Sequence, residues 1–199
     1  TLLLDVRKCF DTTGCEQLWH WGRRHGFPHV LLRMVLQTFE MPRRLVASGS
    51  FGRQIQTSWA MVAGSCFSIA LLHAMLLTPC DTLIRNMGGI QGATVGVTKY
   101  VDDLTVTVQG TVKTCSAAVW RAFDEIKAGF GDLGWQLSLN NETAQGKTVV
   151  LATNTALTEA LRRPATRRGV RVVKHARGLG VDISASSSGR ARTAVQLSL

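Results

Sequence analysis

An α+β fold, in which an antiparallel sheet is backed by helices, is predicted from three observations. The chain has 199 residues, of which 45% are hydrophobic and 18% charged, enough for one domain with a sizeable core. Segments with the alternation of β-strands occur mostly in adjacent pairs, as hairpins do. Segments with helical spacing lie between these pairs, without the regular strand–helix alternation of a doubly wound sheet.

The first elements along the chain are a strand and two helices. Residues 2–6 are an apolar run that predicts a buried strand. Thr13 and Glu16 form a Thr-x-x-Glu capping box, which predicts a helix start, and Gly26 would end that helix. A second helix is predicted over residues 28–38, opened by a proline.

A hairpin and a long apolar segment follow. Residues 44–48 and 53–58 predict two strands joined by a turn. Residues 59–77 contain no charged side chain, which meets the length threshold for a membrane span. Because Gly64 and His73 are among the residues that interrupt this segment, we expect a loop and a buried helix, and no membrane partner.

The second half of the chain begins with another hairpin. Residues 94–99 and 104–108 alternate in character and enclose two acidic residues at the tip. The remaining predicted elements are a helix over 113–130 and strands at 135–139, 148–152 and 179–183.

Residues 129–134 match the GxGxxG pattern of dinucleotide-binding proteins. That pattern functions only where it follows a strand and opens a helix, so that the helix N-terminus meets a pyrophosphate. Here the predicted helix precedes the glycines. We therefore interpret the segment as a helix end and a turn.

The charge of the chain is concentrated near its C-terminal end. The net charge is +10, and residues 161–199 carry nine basic side chains and one acidic one, a net +8. A basic surface predicts a polyanionic partner, nucleic acid before anionic lipid, although a solubilising face has the same composition.

The five cysteines are an odd number and contain no Cys-x-x-Cys pair. This pattern fits neither a disulfide framework nor a zinc site. We expect an intracellular protein in a reducing compartment, and the sequence does not distinguish nucleus from cytoplasm.

Three carboxylates carry the strongest chemical signal. Asp102 and Asp103 are adjacent at the predicted hairpin tip, where their charges repel unless a cation such as Mg²⁺ lies between them. Asp5 ends the first predicted strand. Together these acids could hold two cations about 4 Å apart for phosphoryl transfer. The alternatives are a solvated Asp-Asp turn and a surface or capping role for Asp5.

Five motifs in order resemble those of reverse transcriptases, most closely the non-LTR retrotransposon and group II intron type. Residues 4–11, LDVRKCFD, resemble the first palm motif, and residues 100–104, YVDDL, the third. Residues 63–68 are similar to the second, 134–148 to the fourth and 178–181 to the fifth. The resemblance implies a partial polymerase palm over 1–185 and the start of a thumb, or a linker, over 186–199.

The resemblance also implies site residues. Asp5, Asp102 and Asp103 would be catalytic and, with the Val6 carbonyl, would bind two Mg²⁺ ions, with Mn²⁺ as a substitute. Phe10 would be a steric gate against ribonucleotides, with core packing as the alternative. The other implied nucleotide-binding residues are Gly64, Ser68, Tyr100 and Lys147, the last of which is equally consistent with a solvated lysine.

The implied partners are an RNA template, a DNA primer and dNTPs. The fifth motif places the primer grip at Gly178, Leu179 and Gly180. Template–primer phosphates would be contacted by the basic residues Arg162, Arg163, Arg167, Arg168, Arg171, Lys174 and Arg177.

The sequence departs from the family pattern in three ways. Ala63 replaces the usual glutamine before Gly64, and residues 140–146 are additional to the fourth motif. The chain also begins at the first palm motif, so that fingers, most of the thumb and any endonuclease region are missing. We expect weak or no polymerase activity from this chain alone. The alternatives are a catalytically dead nucleic-acid-binding remnant of a retroelement and an RNA-dependent RNA polymerase palm.

Overall fold

The computed structural model describes residues 1–56, 61–62, 65–140, 145–178 and 181–184. The helices in this part of the chain are α1 (Cys9–Thr12), α2 (Cys15–Arg24), α3 (His29–Glu40), α4 (Cys66–Met87), α5 (Val112–Asp132) and α6 (Thr155–Arg167). The strands are β1 (Leu2–Leu4), β2 (Arg43–Ala47), β3 (Ser50–Ile55), β4 (Ala93–Tyr100), β5 (Asp103–Gly110), β6 (Val149–Leu151), β7 (Arg171–Val173), β8 (His175–Gly178) and β9 (Val181–Ser184).

A five-stranded sheet with the order β4-β5-β1-β6-β7 forms the centre of the fold. The α+β class is confirmed, but the expectation of a purely antiparallel sheet is wrong. Strands β4, β5, β1 and β6 pair antiparallel, whereas β6 and β7 pair parallel. The reason is that α6 connects β6 to β7, and such a crossover returns the chain in the same direction.

The two faces of the sheet differ because successive side chains of a strand point to opposite sides. Leu2, Val106 and Val150 are fully buried and belong to one core cluster with residues of α4 and α5. On the opposite side lie the side chains of Leu3, Asp5, Asp103, Thr105 and Val149, which we call the open face.

The first helix after β1 does not begin as predicted. Helix α2 begins at Cys15 with Gly14 as its N-cap, and the Gln17 side chain accepts the Gly14 N–H at 3.1 Å. Thr13 is instead fully buried: its hydroxyl donates to the Cys9 carbonyl and accepts from Trp135 Nε1. The predicted Thr13–Glu16 capping box is therefore wrong, because tertiary contacts use the threonine hydroxyl.

The hairpin of β2 and β3 has a tighter turn than predicted. Ser48 and Gly49 form a two-residue turn with φ values of 50° and 78°, the pattern of a type I′ hairpin turn. Strand β3 therefore begins at Ser50. Nearly all residues of both strands are exposed.

The long apolar segment contains α4. By length and composition α4 could cross a membrane, and it is the one helix of the described residues that could. Core helices pass the same test, and Leu72, Met75 and Leu83 of α4 are fully buried in the core cluster. Residues 57–60 and 63–64, which include part of the predicted loop, lie outside the described residues.

The GxGxxG segment lies at the end of α5, as predicted. Gly129 is within α5, and Gly134 follows the helix with a φ of 70°. A Cβ on Gly129 would lie 2.8 Å from the Pro79 Cβ, so this glycine lets α5 approach α4 closely. The element that leads directly into the glycines is a helix and not a strand, so this described segment lacks the geometry of a dinucleotide site.

The predicted strand over 135–139 reduces to one bridge between Val6 and Leu137. Ser138 N–H donates to the Asp5 carbonyl and Arg7 N–H donates to the Gln136 carbonyl, and the pairing extends no further. The strand predicted over 148–152 is confirmed as β6. The strand predicted over 179–183 corresponds to β9, which pairs antiparallel with β8. Residues 186–199, the predicted thumb start or linker, lie outside the described residues.

Candidate active site on the open face

A cavity of about 290 Å³ lies on the open face, between the sheet and β8. Apolar side chains of the central strands form its floor. Its polar side chains are those of Asp5, Asp103, Thr105, Lys147, Arg171 and His175. Opposite charges therefore meet in one concave site, the arrangement expected for a phosphate-bearing ligand or a metal complex.

Strand register brings Asp5 next to Asp103. Leu4 pairs with Leu104 across β1 and β5, and Asp5 and Asp103 are the next positions of this antiparallel register. The backbone of Asp5 is held on its other side, because its N–H donates to the Thr148 hydroxyl at 3.2 Å and its carbonyl accepts from Ser138 N–H at 2.8 Å. Pairing of strands distant in sequence thus fixes the two carboxylates on one face.

The electrostatics of the cavity disfavour the ionised form of Asp103. Burial raises the pKa of the Asp103 carboxyl, the neighbouring carboxylates of Asp102 and Asp5 raise it further, and Lys147 opposes the shift. Lys147 Nζ lies 3.9 Å from Asp5 Oδ1, and its side chain is 77% exposed. Lys147 and Arg171 are the lysine and the arginine that line the cavity, and a divalent cation would further relieve the repulsion among the three acids.

A strained turn carries Asp102. Val101 and Asp102 connect β4 to β5, and Val101 has a φ of 53°, which is rare for a β-branched residue. Burial and the nearby Asp102 carboxylate raise the pKa of the Cys9 thiol to about 12. Asp102 therefore lies within electrostatic range of α1 as well as of Asp103.

The oxygen donors at this position fit a hard cation. Asp5 and Asp103 supply carboxylates on one face, and the two hydrogen bonds of the Val6–Leu137 bridge leave the Val6 carbonyl free of that pairing. Mg²⁺ retains several waters and needs few protein ligands. Within the described residues no group of three or more His, Cys, Asp or Glu side chains is arranged to hold a metal ion.

The predicted nucleotide-binding residues differ in how far they are exposed. Tyr100 is 63% exposed at the end of β4, where it pairs with Asp103. Phe10 is half-buried against the core, and its carbonyl accepts from Met61 N–H. Ser68 is fully buried and its hydroxyl donates to the Val62 carbonyl at 2.8 Å, so its role in nucleotide binding stays a prediction. Gly64 lies outside the described residues.

The predicted primer grip is described only in part. Gly178 ends β8, whereas Leu179 and Gly180 lie outside the described residues. Strand β8 borders the cavity through His175 and Ala176. The described residue of the predicted grip, Gly178, therefore belongs to the strand that borders the cavity.

The predicted nucleic-acid-binding side chains divide into two groups. Arg163, Arg167 and Lys174 are exposed. Arg162 pairs with Glu159 at 3.0 Å, and Arg168 makes two hydrogen bonds to Asp124. These paired residues have part of their charge compensated within the fold. For Arg177 the structure describes the backbone in β8.

Arg171, which the sequence predicts to contact nucleic-acid phosphates, lies in the cavity of the open face. It lies on β7, lines the cavity and donates from Nη2 to the Gly146 carbonyl at 3.0 Å. Its Nε is buried and has no hydrogen-bond partner among the described residues. Sequence reasoning also missed Thr148, which holds Asp5, and His175. Strand alternation around Val149 and Val173 could have indicated the cavity position of Arg171.

No model of a known protein family matches the chain, and no curated protein matches it.

Proposed function

We propose that this chain is the palm portion of an RNA-directed DNA polymerase, which adds dNTPs to a primer 3′-hydroxyl by phosphoryl transfer. One observation carries the proposal: Asp5 and Asp103 are adjacent on the open face of the sheet, with Asp102 in the turn beside them. Their order and the motifs around them match the polymerase pattern described from the sequence.

The residues of the candidate site would have separate roles in the reaction. Asp5, Asp103 and Asp102, with the Val6 carbonyl, would hold two Mg²⁺ ions, which favour the deprotonated primer hydroxyl and offset charge on the phosphates. The Lys147 ammonium would lie near the triphosphate and could donate a proton to the leaving pyrophosphate. Phe10, which lies in α1 after β1, would exclude a 2′-hydroxyl.

Template and primer would be held by the exposed basic residues that follow the catalytic strands. Arg163, Arg167 and Lys174 have no ion pair within the described residues. A surface that binds phosphates through such side chains loses affinity steeply as salt is raised. An intracellular location is part of this proposal.

Metal binding tests the carboxylates directly. We expect Mg²⁺ to raise the thermal midpoint of the parent chain, and Mn²⁺ to bind it in an electron paramagnetic resonance titration. Asp5→Asn and Asp103→Asn should each weaken Mn²⁺ binding by at least about tenfold. The matched control is Asp132→Asn, because Asp132 is exposed at the end of α5 and outside the cavity. Equal binding by all four proteins would contradict the proposed metal site.

Primer extension on an RNA template tests the activity. Any extension by the parent chain should fall by at least about 100-fold in Asp5→Asn, the upper end of losses seen when metal sites are disturbed. Asp132→Asn should retain the parental rate. A rate that is unaffected by Asp5→Asn would refute the catalytic assignment.

A second candidate is a non-catalytic nucleic-acid-binding protein. One observation favours it: basic side chains are exposed on α6 and at Lys174, which follows β7. This candidate predicts RNA affinity that is unchanged by Asp102→Asn and by removal of Mg²⁺. The polymerase proposal predicts that template–primer affinity rises when Mg²⁺ and a complementary dNTP are present.

A further inference from the structure

We propose that the exposed side of α2 binds single-stranded nucleic acid, at a surface separate from the open face. The arginine–tryptophan surface consists of Trp19, Trp21, Arg23, Arg24 and His25, and it extends around the exposed side of the helix. Trp19 and Arg23 lie on one flank of α2, and Trp21, Arg24 and His25 lie on the other, because residues two positions apart in a helix point to different sides. The Arg23 guanidinium lies 5.5 Å from the centre of the Trp19 ring, and the Arg24 guanidinium 5.1 Å from that of Trp21. Trp21 and His25 are stacked, with ring centres 5.8 Å apart and planes 12° from parallel.

Packing of α2 fixes the orientation of this surface. Leu18 and Gly22 are buried, and a Cβ on Gly22 would lie 2.9 Å from Leu32 Cδ2 of α3. His25 Nε2 lies 3.3 Å from the Thr78 hydroxyl of α4, so the imidazole is held in place. Arg23 and Arg24 are exposed, and none of the five residues of the surface lines the cavity of the open face.

Arg23 and Arg24 supply the positive charge of the surface. Residues 17–39 contain three arginines and three histidines and no carboxylate, and the flanking acids Glu16 and Glu40 lie with Arg33 in a pocket that Trp19 also lines. Neither Arg23 nor Arg24 forms an ion pair within the described residues; each lies over an indole ring instead. A guanidinium over a tryptophan keeps its charge and its N–H donors available to a partner. Charge complementarity therefore selects a polyanion.

The combination of planar groups and positive charge favours single-stranded nucleic acid over an anionic lipid surface. Single strands bind where basic side chains follow the phosphates and aromatic or guanidinium planes stack against unpaired bases. Trp19 and Trp21 are half-buried against the core, which leaves them unable to insert deeply into a bilayer. The two arginines remain accessible for phosphate contacts.

The test is fluorescence anisotropy with a labelled oligothymidylate of about 20 nucleotides, the length that covers one binding site or more. EDTA is present throughout, so that the carboxylate site contributes no metal-dependent binding. We expect Arg23→Gln/Arg24→Gln to weaken binding at least about tenfold at 0.1 M salt and to reduce the salt slope by about 1.4. Loss of two single-strand phosphate contacts produces a change of that size.

Arg85→Gln/Lys113→Gln is the matched control, since it removes the same charge from exposed positions on α4 and α5. A parental affinity in this control supports the site on α2. Equal losses in the two double variants, or no loss in Arg23→Gln/Arg24→Gln, would overturn it. Binding of the parent to phosphatidylserine vesicles but not to the oligonucleotide would also overturn it.

A third double variant separates this surface from the proposed template–primer contacts. Arg163→Gln/Arg167→Gln removes charge from α6 and leaves α2 unchanged. If it lowers affinity and Arg23→Gln/Arg24→Gln does not, the α6 contacts stand and the α2 site is refuted. If only the α2 variant lowers affinity, the α2 site stands, and the α6 contacts of the proposed function are refuted.

Discussion

The raised pKa of the Asp103 carboxyl implies that ionisation of this group lowers the stability of the folded chain. Its pKa is raised by burial, then by Asp102 and Asp5. The folded state therefore binds the proton more tightly than the unfolded state does. Its contribution to stability is fully present below its ordinary pKa of 3.8 and is lost as the pH rises through the raised value.

Asp103→Asn should therefore stabilise the chain at neutral pH. We expect the free energy of unfolding to rise by roughly 0.2–1 kcal/mol at pH 7, the range of partly exposed charge interactions. Below the ordinary carboxyl pKa the parent and the variant should be equally stable. Urea denaturation at the two pH values checks this, and a variant less stable than the parent at pH 7 would contradict it.

Thr13 is the residue whose buried hydroxyl ties α1 to a distant loop. It donates to Cys9 and accepts from the Trp135 indole at 2.9 Å. Thr13→Val would leave that indole N–H without a partner, and we expect a loss of about 1–3 kcal/mol in the free energy of unfolding. Chemical denaturation measures the loss. Thr12→Val is the control, because Thr12 is exposed, and it should change stability by less than about 0.5 kcal/mol.

At the level of elements, the contact of α4 with α5 depends on Gly129. An added Cβ there would meet Pro79 of α4 at 2.8 Å, whereas a Cβ on Gly131 would meet nothing within 4 Å. Both glycines lie in the same helix, so they differ in packing while sharing a backbone conformation. The pair isolates tertiary packing from helix propensity.

The two alanine substitutions should therefore have opposite effects. We expect Gly129→Ala to lower the free energy of unfolding by about 1–3 kcal/mol through overpacking. Gly131→Ala should raise it by about 0.5–1 kcal/mol, because alanine is the better helix former. Thermal unfolding of both variants checks the prediction. Equal shifts in the same direction would show that α4 yields at Pro79.

Across the molecule, the basic residues of the C-terminal part differ in whether their charge is paired within the fold. Arg168 makes two hydrogen bonds to Asp124 and lies 5.1 Å from the Trp120 ring centre, which ties the end of α6 to α5. Arg167 is exposed and forms no ion pair within the described residues. Of these adjacent arginines, Arg168 therefore has its charge paired within the fold and Arg167 has its charge exposed.

Substitution of each arginine by glutamine should separate the effect on stability from the effect on RNA binding. Arg168→Gln should lower the free energy of unfolding by about 1 kcal/mol, since it loses a cation–π contact and an ion pair, and RNA affinity should change little. Arg167→Gln should leave stability unchanged and weaken RNA binding in a salt-dependent way. Denaturation and anisotropy titrations on both variants measure the two effects. An equal loss of RNA affinity in both would refute the division.

The structure confirms the elements that have a strong local pattern in the sequence. The hairpin of β4 and β5 and the helix α5 lie close to their predicted ranges, and the GxGxxG segment is a helix end. Local sequence suffices in these cases because alternation, helical spacing and glycine conformation act over a few residues. The capping role predicted for Thr13 is wrong because its hydroxyl accepts from Trp135, which is distant in sequence.

Local patterns are enough to predict the α+β class, the hairpin tip with its two acids and the concentration of positive charge. The parallel pairing of β7, the adjacency of Asp103 and Asp5 and the position of Arg171 in the same cavity are known from the folded chain. Each of these features depends on the register between strands far apart in the chain. That register is selected by burial of Leu2, Val106 and Val150 in one core, and no local pattern encodes it.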